Sequence, residues 1–334
     1  MKYTVPLFWL ILFGFSSCET VVDVDVPRED PRLVVNSFIG VDAPVVATIS
    51  QSKFVLSNER LREVSGAEVT LLEDDQVVAT LEETVPDSDI ITTPPGFYTT
   101  EFVPSAGREY TIRVSKSGFE SVEATAFIPP PIPIANLRYD TITAIYEEFD
   151  DSTGNFTTVQ RPSLNQVWLG IDDPGDEENF YEVLVQRYAT SFNFEEDDDG
   201  NFIITDTFRI LVPVPLVSDD PVVDDNDDFF EGNDGFFTNG AFLFSDEIFN
   251  GRLYTFNFSV EQFFGFGQEE EVSEYFITLR TLSEAQYRYL LSVGLQEETE
   301  DNPFAEPVPV FNNIQGGYGI FVGYSADMDT VNVE

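Results

Sequence analysis

The sequence predicts a mainly β protein: an N-terminal β-sandwich, then a larger β-rich domain with long acidic loops and one short helix. Three observations predict it. Short β-branched runs recur between Gly, Pro and Asp punctuation from Arg32 onward. Four prolines crowd into the stretch Ile128–Pro133, where no sheet interior could hold them. Only one segment, after Ser283, carries both the cap signals and the apolar spacing of a helix. The 334 residues are 42% hydrophobic and 14% aromatic, which is too rich for a disordered acidic chain. That length supports two or three ordinary domains.

The chain opens with Met1-Lys2-Tyr3 and an apolar run from Val5 to Phe15. Eleven residues fit a signal-peptide core and fall short of the ~20 that a helix needs to span a bilayer. Phe15-Ser16-Ser17-Cys18 follows and resembles a bacterial lipobox, with Phe15 where Leu or Val is usual. Residues 1–17 therefore read as a lipoprotein signal peptide, with Cys18, the sole cysteine, as the lipidated residue. Residues 18–31, which alternate acid and valine as far as Pro27, read as the lipidated tether.

Residues 32–128 carry the first strands. Arg32–Ile39, Val45–Ser50, Ala67–Leu72 and Val77–Leu81 are β-branched runs, with Glu73-Asp74-Asp75-Gln76 as a hairpin connection. Gly96–Val103, Tyr110–Ser115 and Val122–Phe127 continue at short, regular spacing. That spacing predicts a sandwich of the immunoglobulin-like or carboxypeptidase-regulatory-like type. Residues 129–135 are a stiff Pro-rich linker.

Residues 136–334 form the second domain. Asn136–Asp140, Asn165–Ile171, Tyr181–Arg187, Leu253–Val260 and Tyr275–Leu282 read as strands, with Asp172-Asp-Pro-Gly175 as a turn. Phe192–Phe194 and Phe202–Ile204 flank an acidic tip. In the predicted helix Ser283 caps, Gln286 completes a capping box, Tyr287, Leu290 and Leu291 form the apolar face, and Gly294 ends it. The glycine-rich segment Gly316–Gly323 misses the dinucleotide fingerprint, and no helix follows it, so it reads as a tightly packed closing strand.

Charge narrows function. Sixteen Lys+Arg against 61 Asp+Glu give a net charge of −45. Binding of nucleic-acid phosphates, driven by basic residues, is excluded. With no histidine, Ser-His-Asp and Cys-His catalysis and His-ligated zinc are excluded as well. Some pair among 61 acids will always match glycosidase spacing by chance, so paired carboxylates carry no signal, and the chain reads as non-enzymatic. From Asp140 to Asp234 there are 25 acids and three bases. Within that region Glu195, Asp197, Asp199, Gly200 and Asp206 fall at positions of an EF-hand-like loop, which makes calcium one reading. A solvated hairpin tip with an Asp-Gly-Asn turn is the simpler one, and Asp219-Asp220 with Asp224–Asp228 poses the same choice. Phe229, Phe230, Phe236 and Phe237 interrupt Gly/Asp-rich sequence and read either as loop anchors or as partner contacts.

Several segments together resemble one family. They are Cys18 with its acid/valine stretch, Leu33-Val-Val35, Val64-Ser-Gly-Ala-Glu-Val69 and Gly96-Phe-Tyr98. Asp172-Asp-Pro174 with Asn179-Phe-Tyr181, Phe244-Ser-Asp246, and Asn302–Pro307 leading into Asn313–Gly317 complete the set. The chain resembles the Bacteroidota outer-membrane lipoproteins grouped as domain of unknown function 4249. That resemblance implies a lipid-anchored outer-membrane protein facing the cell exterior, often encoded beside a TonB-dependent receptor. It brings no catalytic residues. The expected function is an accessory subunit of such a receptor, or of another outer-membrane barrel, in cargo binding and uptake. The alternative is a free-standing glycan-, peptide- or calcium-binding lipoprotein.

Overall fold

The structure is a computed structural model that describes residues 30–54, 57, 60–84, 96–150, 155–175, 177–196, 202–223, 241–260, 274–300, 306 and 308–333. Eight strands form the first half of the fold: β1 (Leu33–Ile39), β2 (Val46–Gln51), β3 (Arg62–Glu63), β4 (Glu68–Glu73), β5 (Gln76–Glu83), β6 (Phe97–Thr99), β7 (Arg108–Ser115) and β8 (Val122–Ile128). They pair in the order β1-β2-β6-β5-β4-β7-β8, with β3 beside β2. Alternation is strict where it decides the fold. β1 and β8 bury every second residue, so Leu33, Val35, Val122, Ala124 and Ala126 enter one core with Val69, Leu71, Ile112 and Val114. Glu73 pairs with Gln76 across Asp74 and Asp75, both at positive φ (49° and 61°), a mirror-type turn that matches the strand twist. Tyr98, buried in this core, donates its hydroxyl to the Val64 carbonyl (2.8 Å) and accepts from the Ala67 N–H (2.9 Å), which ties the loop before β4 to β6.

The second half comprises β9 (Ile134–Asp150), β10 (Asn155–Asp172), β11 (Phe180–Glu196), β12 (Phe202–Pro213), β13 (Leu216–Val217), β14 (Ala241–Ser245), β15 (Leu253–Val260), β16 (Glu274–Leu282), helix α1 (Glu284–Glu300) and β17 (Tyr318–Asn332). One sheet runs β13-β15-β10-β9. The facing layer is β12-β11-β16-β17, with β14 lying along the same edge of β11 as β12 does. Between the two layers sits a core rich in aromatic rings. Phe244 lies 4.9 Å from Phe256, and Phe256 lies 5.3 Å from Phe242 and 5.4 Å from Phe258, centroid to centroid. Part of the chain's large phenylalanine complement is thus spent inside.

Strand β17 joins the halves. Its first residues pair in parallel with β1, from Val34↔Tyr318 to Ile39↔Gly323. Its remainder pairs antiparallel with β16, from Leu282↔Tyr324 to Glu274↔Asn332. Phe321 and the preceding Ile314 lie in the first core, whereas Val331 and Val333 lie in the second. The segment 314–323, read from sequence as part of the second domain, therefore completes the first core. The glycines there are required by close approach. A Cβ on Gly319, at φ +109°, would meet the Val35 carbonyl oxygen at 2.1 Å, and one on Gly323 would meet that of Phe127 at 2.4 Å.

Helix α1 differs from expectation at its end. Ser283 caps it, accepting from the Gln286 N–H at 3.3 Å, but the helix runs through Gly294 to Glu300. Gly costs about 1 kcal/mol relative to Ala in a helix interior, and the Leu-Gln-Glu-Glu run that follows favours continuation. Nor does the capping box close, because the buried Gln286 Oε1 has no hydrogen-bond partner among the described residues. Tyr287, Leu290 and Leu291 cover Phe180, Leu243 and Leu282 as the spacing predicts. Among the described residues no helix is long and apolar enough to cross a membrane.

Because β17 belongs to both cores, damage to its first half should reach the second. Gly319→Ala is expected to cost about 3 kcal/mol through overpacking and backbone strain. In urea titrations, far-UV circular dichroism and the emission of Trp168 on β10 should shift to the same lower midpoint. An unchanged Trp168 midpoint would show that the two cores unfold independently.

Candidate functional site

The second half is dominated by two long hairpins. β9 and β10 stay paired from Ile134↔Ile171 to Asp150↔Asn155. β15 accompanies β10 only as far as Gln166, and the last core contacts on β10 are Leu164 and Ser163, whose hydroxyl lies 3.1 Å from that of Tyr275. From Thr143↔Pro162 outward the ribbon is two-stranded, and at ~3.4 Å per residue it extends roughly 25 Å past the core. The second hairpin, β11–β12, behaves similarly. β16 follows β11 to Arg187, after which β12 alone continues from Tyr188↔Leu211 to Glu196↔Phe202.

β10 runs into the 173–179 loop and β11 runs out of it, each contributing to the same core from opposite sheets. Both hairpins therefore leave the body on the side away from that loop. They present apolar side chains to solvent: Tyr139, Ile142 and Ile145 on β9, and Phe208, Ile210 and Leu211 on β12. Arg209 lies over the Tyr188 ring at 4.1 Å and holds the second ribbon together across its strands.

At the opposite end the hairpin bases are fixed by a buried polar cluster. The Tyr181 hydroxyl donates to Asp173, whose other oxygen accepts from the Gly251 N–H at 2.7 Å. Asp246 Oδ2 accepts from the Asn179 N–H and from Asn250 Nδ2, each at 3.0 Å, and the Asp246 N–H donates back to the Asn179 carbonyl at 3.0 Å. Gly175 and Gly251 touch backbone to backbone, so the 173–179 and 246–251 loops interlock. Burial raises the Tyr181 hydroxyl above its ordinary range, and the carboxylate of Asp173 adds to the shift. Burial likewise raises Asp246 above 3.8, with the charges of Asp173 and Glu178 acting the same way. Its second oxygen, Oδ1, is buried without a hydrogen-bond partner among the described residues, as is Asn179 Oδ1.

Asp220 anchors a second loop. It accepts from the Tyr254 hydroxyl, from the Asn257 N–H (3.1 Å), from Asn257 Nδ2 (2.9 Å) and from the Val222 N–H (3.2 Å). One member of the acidic pair Asp219-Asp220 is thus an internal ligand for loop amides, and the carboxylate of Asp220 raises the Tyr254 hydroxyl after burial has done so.

The residues singled out from sequence fall unevenly. Glu195 lies at the end of β11 and Asp206 on β12, so the candidate calcium window spans a β-hairpin, flanked by strands where an EF-hand has helices. Asp206 is exposed and accepts from the Thr207 N–H at 2.8 Å. Asp197, Asp199 and Gly200 lie outside the described residues, as do Cys18 and the phenylalanines Phe229, Phe230, Phe236 and Phe237. Among the described residues no group of three or more acidic or sulfur ligands is placed to hold a metal ion. What sequence reading missed is the reach of the hairpins and the exposed residues on them. The available signal was the alternation Thr141-Ile-Thr-Ala-Ile-Tyr146, overshadowed by the acids on either side.

Fold and site together define a mainly β protein that holds two extended hairpins away from its core. Residues 19–330 match the domain of unknown function DUF4249, and the chain belongs to that family. No curated protein matches it. Three of the segments that carried the family resemblance, those around Asp173, Asn179 with Tyr181, and Asp246, converge in the polar cluster under the hairpins.

The cluster makes two predictions. Tyr181→Phe leaves Asp173 without its hydroxyl donor and should cost about 1–3 kcal/mol in denaturant unfolding. Asp246 has a folded pKa above its unfolded value, so its contribution is present at low pH and is lost as pH rises from 3.8 through the folded pKa. Asp246→Asn keeps an acceptor for the Asn179 N–H but cannot ionise. Thermal melts across that window should show a wild-type decline that the variant lacks, leaving the variant the more stable at pH 7; parallel curves would refute the assignment.

Proposed function

We propose that this chain is a non-enzymatic outer-membrane lipoprotein, anchored through Cys18 and facing the cell exterior. In this reading it serves a TonB-dependent receptor or another outer-membrane barrel as an accessory subunit in cargo binding and uptake. The observation that carries the reading is the pair of hairpins that project past the core, with Ile145, Phe208, Ile210 and Leu211 exposed on the projecting parts and Tyr139 and Ile142 exposed just inside them. Aromatic and aliphatic anchors of this kind contribute most of the binding energy at protein interfaces. A lipid foot holds the body near barrels but supplies no specificity, so recognition falls to the surface that reaches outward. The net charge of −45 favours a partner with basic complementary patches and steers its approach.

The test is a mild-detergent pull-down from native membranes through a tag placed after a flexible C-terminal linker. A barrel protein should co-elute in stoichiometric amount. Ile142→Ser with Ile145→Ser, both at exposed positions, should reduce recovery about tenfold with an unchanged melting temperature. Cys18→Ala should leave the protein folded but released by carbonate washing. Repeated recovery of the lipoprotein alone would overturn the docking role in favour of a free-standing binder, and membrane retention of Cys18→Ala would overturn the anchor.

A further inference from the structure

The outer edge of β9 is unusual for a long edge strand. Among the described residues β9 pairs only with β10, so one row of its backbone donors and acceptors is open. Over Thr141–Tyr146 the sequence is Thr-Ile-Thr-Ala-Ile-Tyr, with no charge, no proline and no glycine. Thr141, Ile142, Thr143 and Ile145 are all exposed, which places solvent on both faces of the ribbon. Natural sheets blunt such edges with charge or proline. Two of the other open edges follow that rule, and the third, β11 past Arg187, is uncharged as far as Phe194 but keeps Tyr188, Ala189, Thr190 and Ser191 half-buried. β12 carries Asp206 and Arg209 in mid-strand, and β10 carries Arg161 and Pro162 where β15 no longer covers it. Six unprotected β-forming residues on one edge are a template for strand pairing.

We infer that this edge is a strand-addition site, and that its occupant is an extended segment of a partner protein, uncharged and β-branched at its centre with Lys or Arg at its ends. Charge selects the occupant. Asp140 precedes the neutral run, and Glu147, Glu148 and Asp150 follow it. A second copy paired antiparallel about the centre of the run would set Asp140 level with Glu147 of the other copy. A parallel copy would set Asp140 beside Asp140. Like charges directly across a ladder are destabilising, and −45 on each molecule adds repulsion at longer range. The chain's own alternating stretch Glu19–Asp30 carries the same sign. A basic-ended strand gains main-chain hydrogen bonds along the run and ion pairs at both ends. The inference rests on the docking reading only in taking the docking partner as the source of that strand.

The test uses the full chain with Cys18→Ala and two synthetic probes: a short alternating Val/Thr peptide ending in lysines, and its twin ending in glutamates. The lysine-ended probe should bind and slow amide exchange across residues 141–146. The glutamate-ended twin should bind about tenfold more weakly. Thr141→Lys with Thr143→Lys, both at exposed positions, should abolish the protection without moving the melting temperature. Protection elsewhere, equal binding of the two probes, binding of neither, or protection through dimerisation of the chain would each overturn the inference. The two readings fail separately. Full recovery of a barrel by the double-lysine variant would remove strand addition and leave docking intact. Protection of 141–146 by the probe, with no barrel ever recovered, would remove docking and leave the edge site.

Discussion

Everything in this fold depends on one strand being shared. β17 hydrogen-bonds to β1 with its first six residues and to β16 with the rest, and the exchange falls between Gly323 and Tyr324. A parallel pair needs a crossover, and here the crossover is nearly the whole chain between Ile39 and Tyr318. Neither core is complete until that last segment arrives, so the decisive contacts close very long loops and the topology is of the slow-folding kind. The junction is reinforced on both sides. Arg280 on β16 pairs with Glu182 on β11 at 2.8 Å and lies over the Tyr324 ring at 4.9 Å. Burial alone would lower its pKa, but Glu182 outweighs that and keeps the guanidinium charged. The Pro-rich segment is fixed to the same sheet: the Ile132 N–H donates to Thr281 Oγ1, the Ile134 N–H to Asp327, and the Ile132 side chain enters the second core. That segment is therefore a docked strap whose far end starts β9 in a defined direction.

Direction matters because the hairpins have no other guide once they leave the core. β11 is aligned by β16, which is itself aligned by β17. β10 is aligned by β15, and its end meets the start of β11 through the 173–179 loop. The carboxylates at that loop act as internal acceptors. In a chain with few bases and no histidine, a buried acid is satisfied by backbone N–H groups, amides and tyrosine hydroxyls instead. Asp173, Asp220 and Asp246 all follow this pattern, and each joins segments far apart in sequence. The few acids placed inside set loop geometry, while the many others give the chain its negative field.

Local signals in the sequence were legible where structure is local. The Asp74-Asp75 turn, the period-2 runs of β1, β7 and β8, the Ser283 cap and the apolar face of α1 could all be read from neighbouring residues. The glycines of Gly316–Gly323 announced close packing, although not against which strand. Three features were not legible. β9 and β10 were read as short strands separated by acidic loop, because Glu147, Glu148, Asp150 and Asp151 break the apolar pattern; strand pairing in a free-standing ribbon does not require one. The sharing of β17 is a long-range pairing that no local window contains. The continuation of α1 past Gly294 shows the helix-favouring Leu-Gln-Glu-Glu run that follows outweighing a glycine that elsewhere ends helices. Of the candidate site, the acidic hairpin tip was legible as a hairpin, but the exposed row on β9 was not, since its exposure follows from β9 standing last in its sheet and running on past the core.

The net charge and the open edge of β9 make sense together. An uncharged six-residue β run on an exposed edge would drive self-association in a neutral protein. Here Asp140 and Glu147 bracket it, so an antiparallel copy centred on the neutral run, or a parallel copy in register, also brings acids together. Protection lies at the ends of the run, leaving its middle open to a complementary strand. The choice costs nothing in the folded monomer, because the ribbon is two-stranded and its residues support neither core. It yields selectivity by repulsion: copies of the chain are kept apart, and a strand with basic ends is not. The proposed lipid anchor extends the same logic, since tethered neighbours would meet at high local concentration, where a neutral edge is most hazardous and a charge-bracketed one stays open to a basic-ended strand.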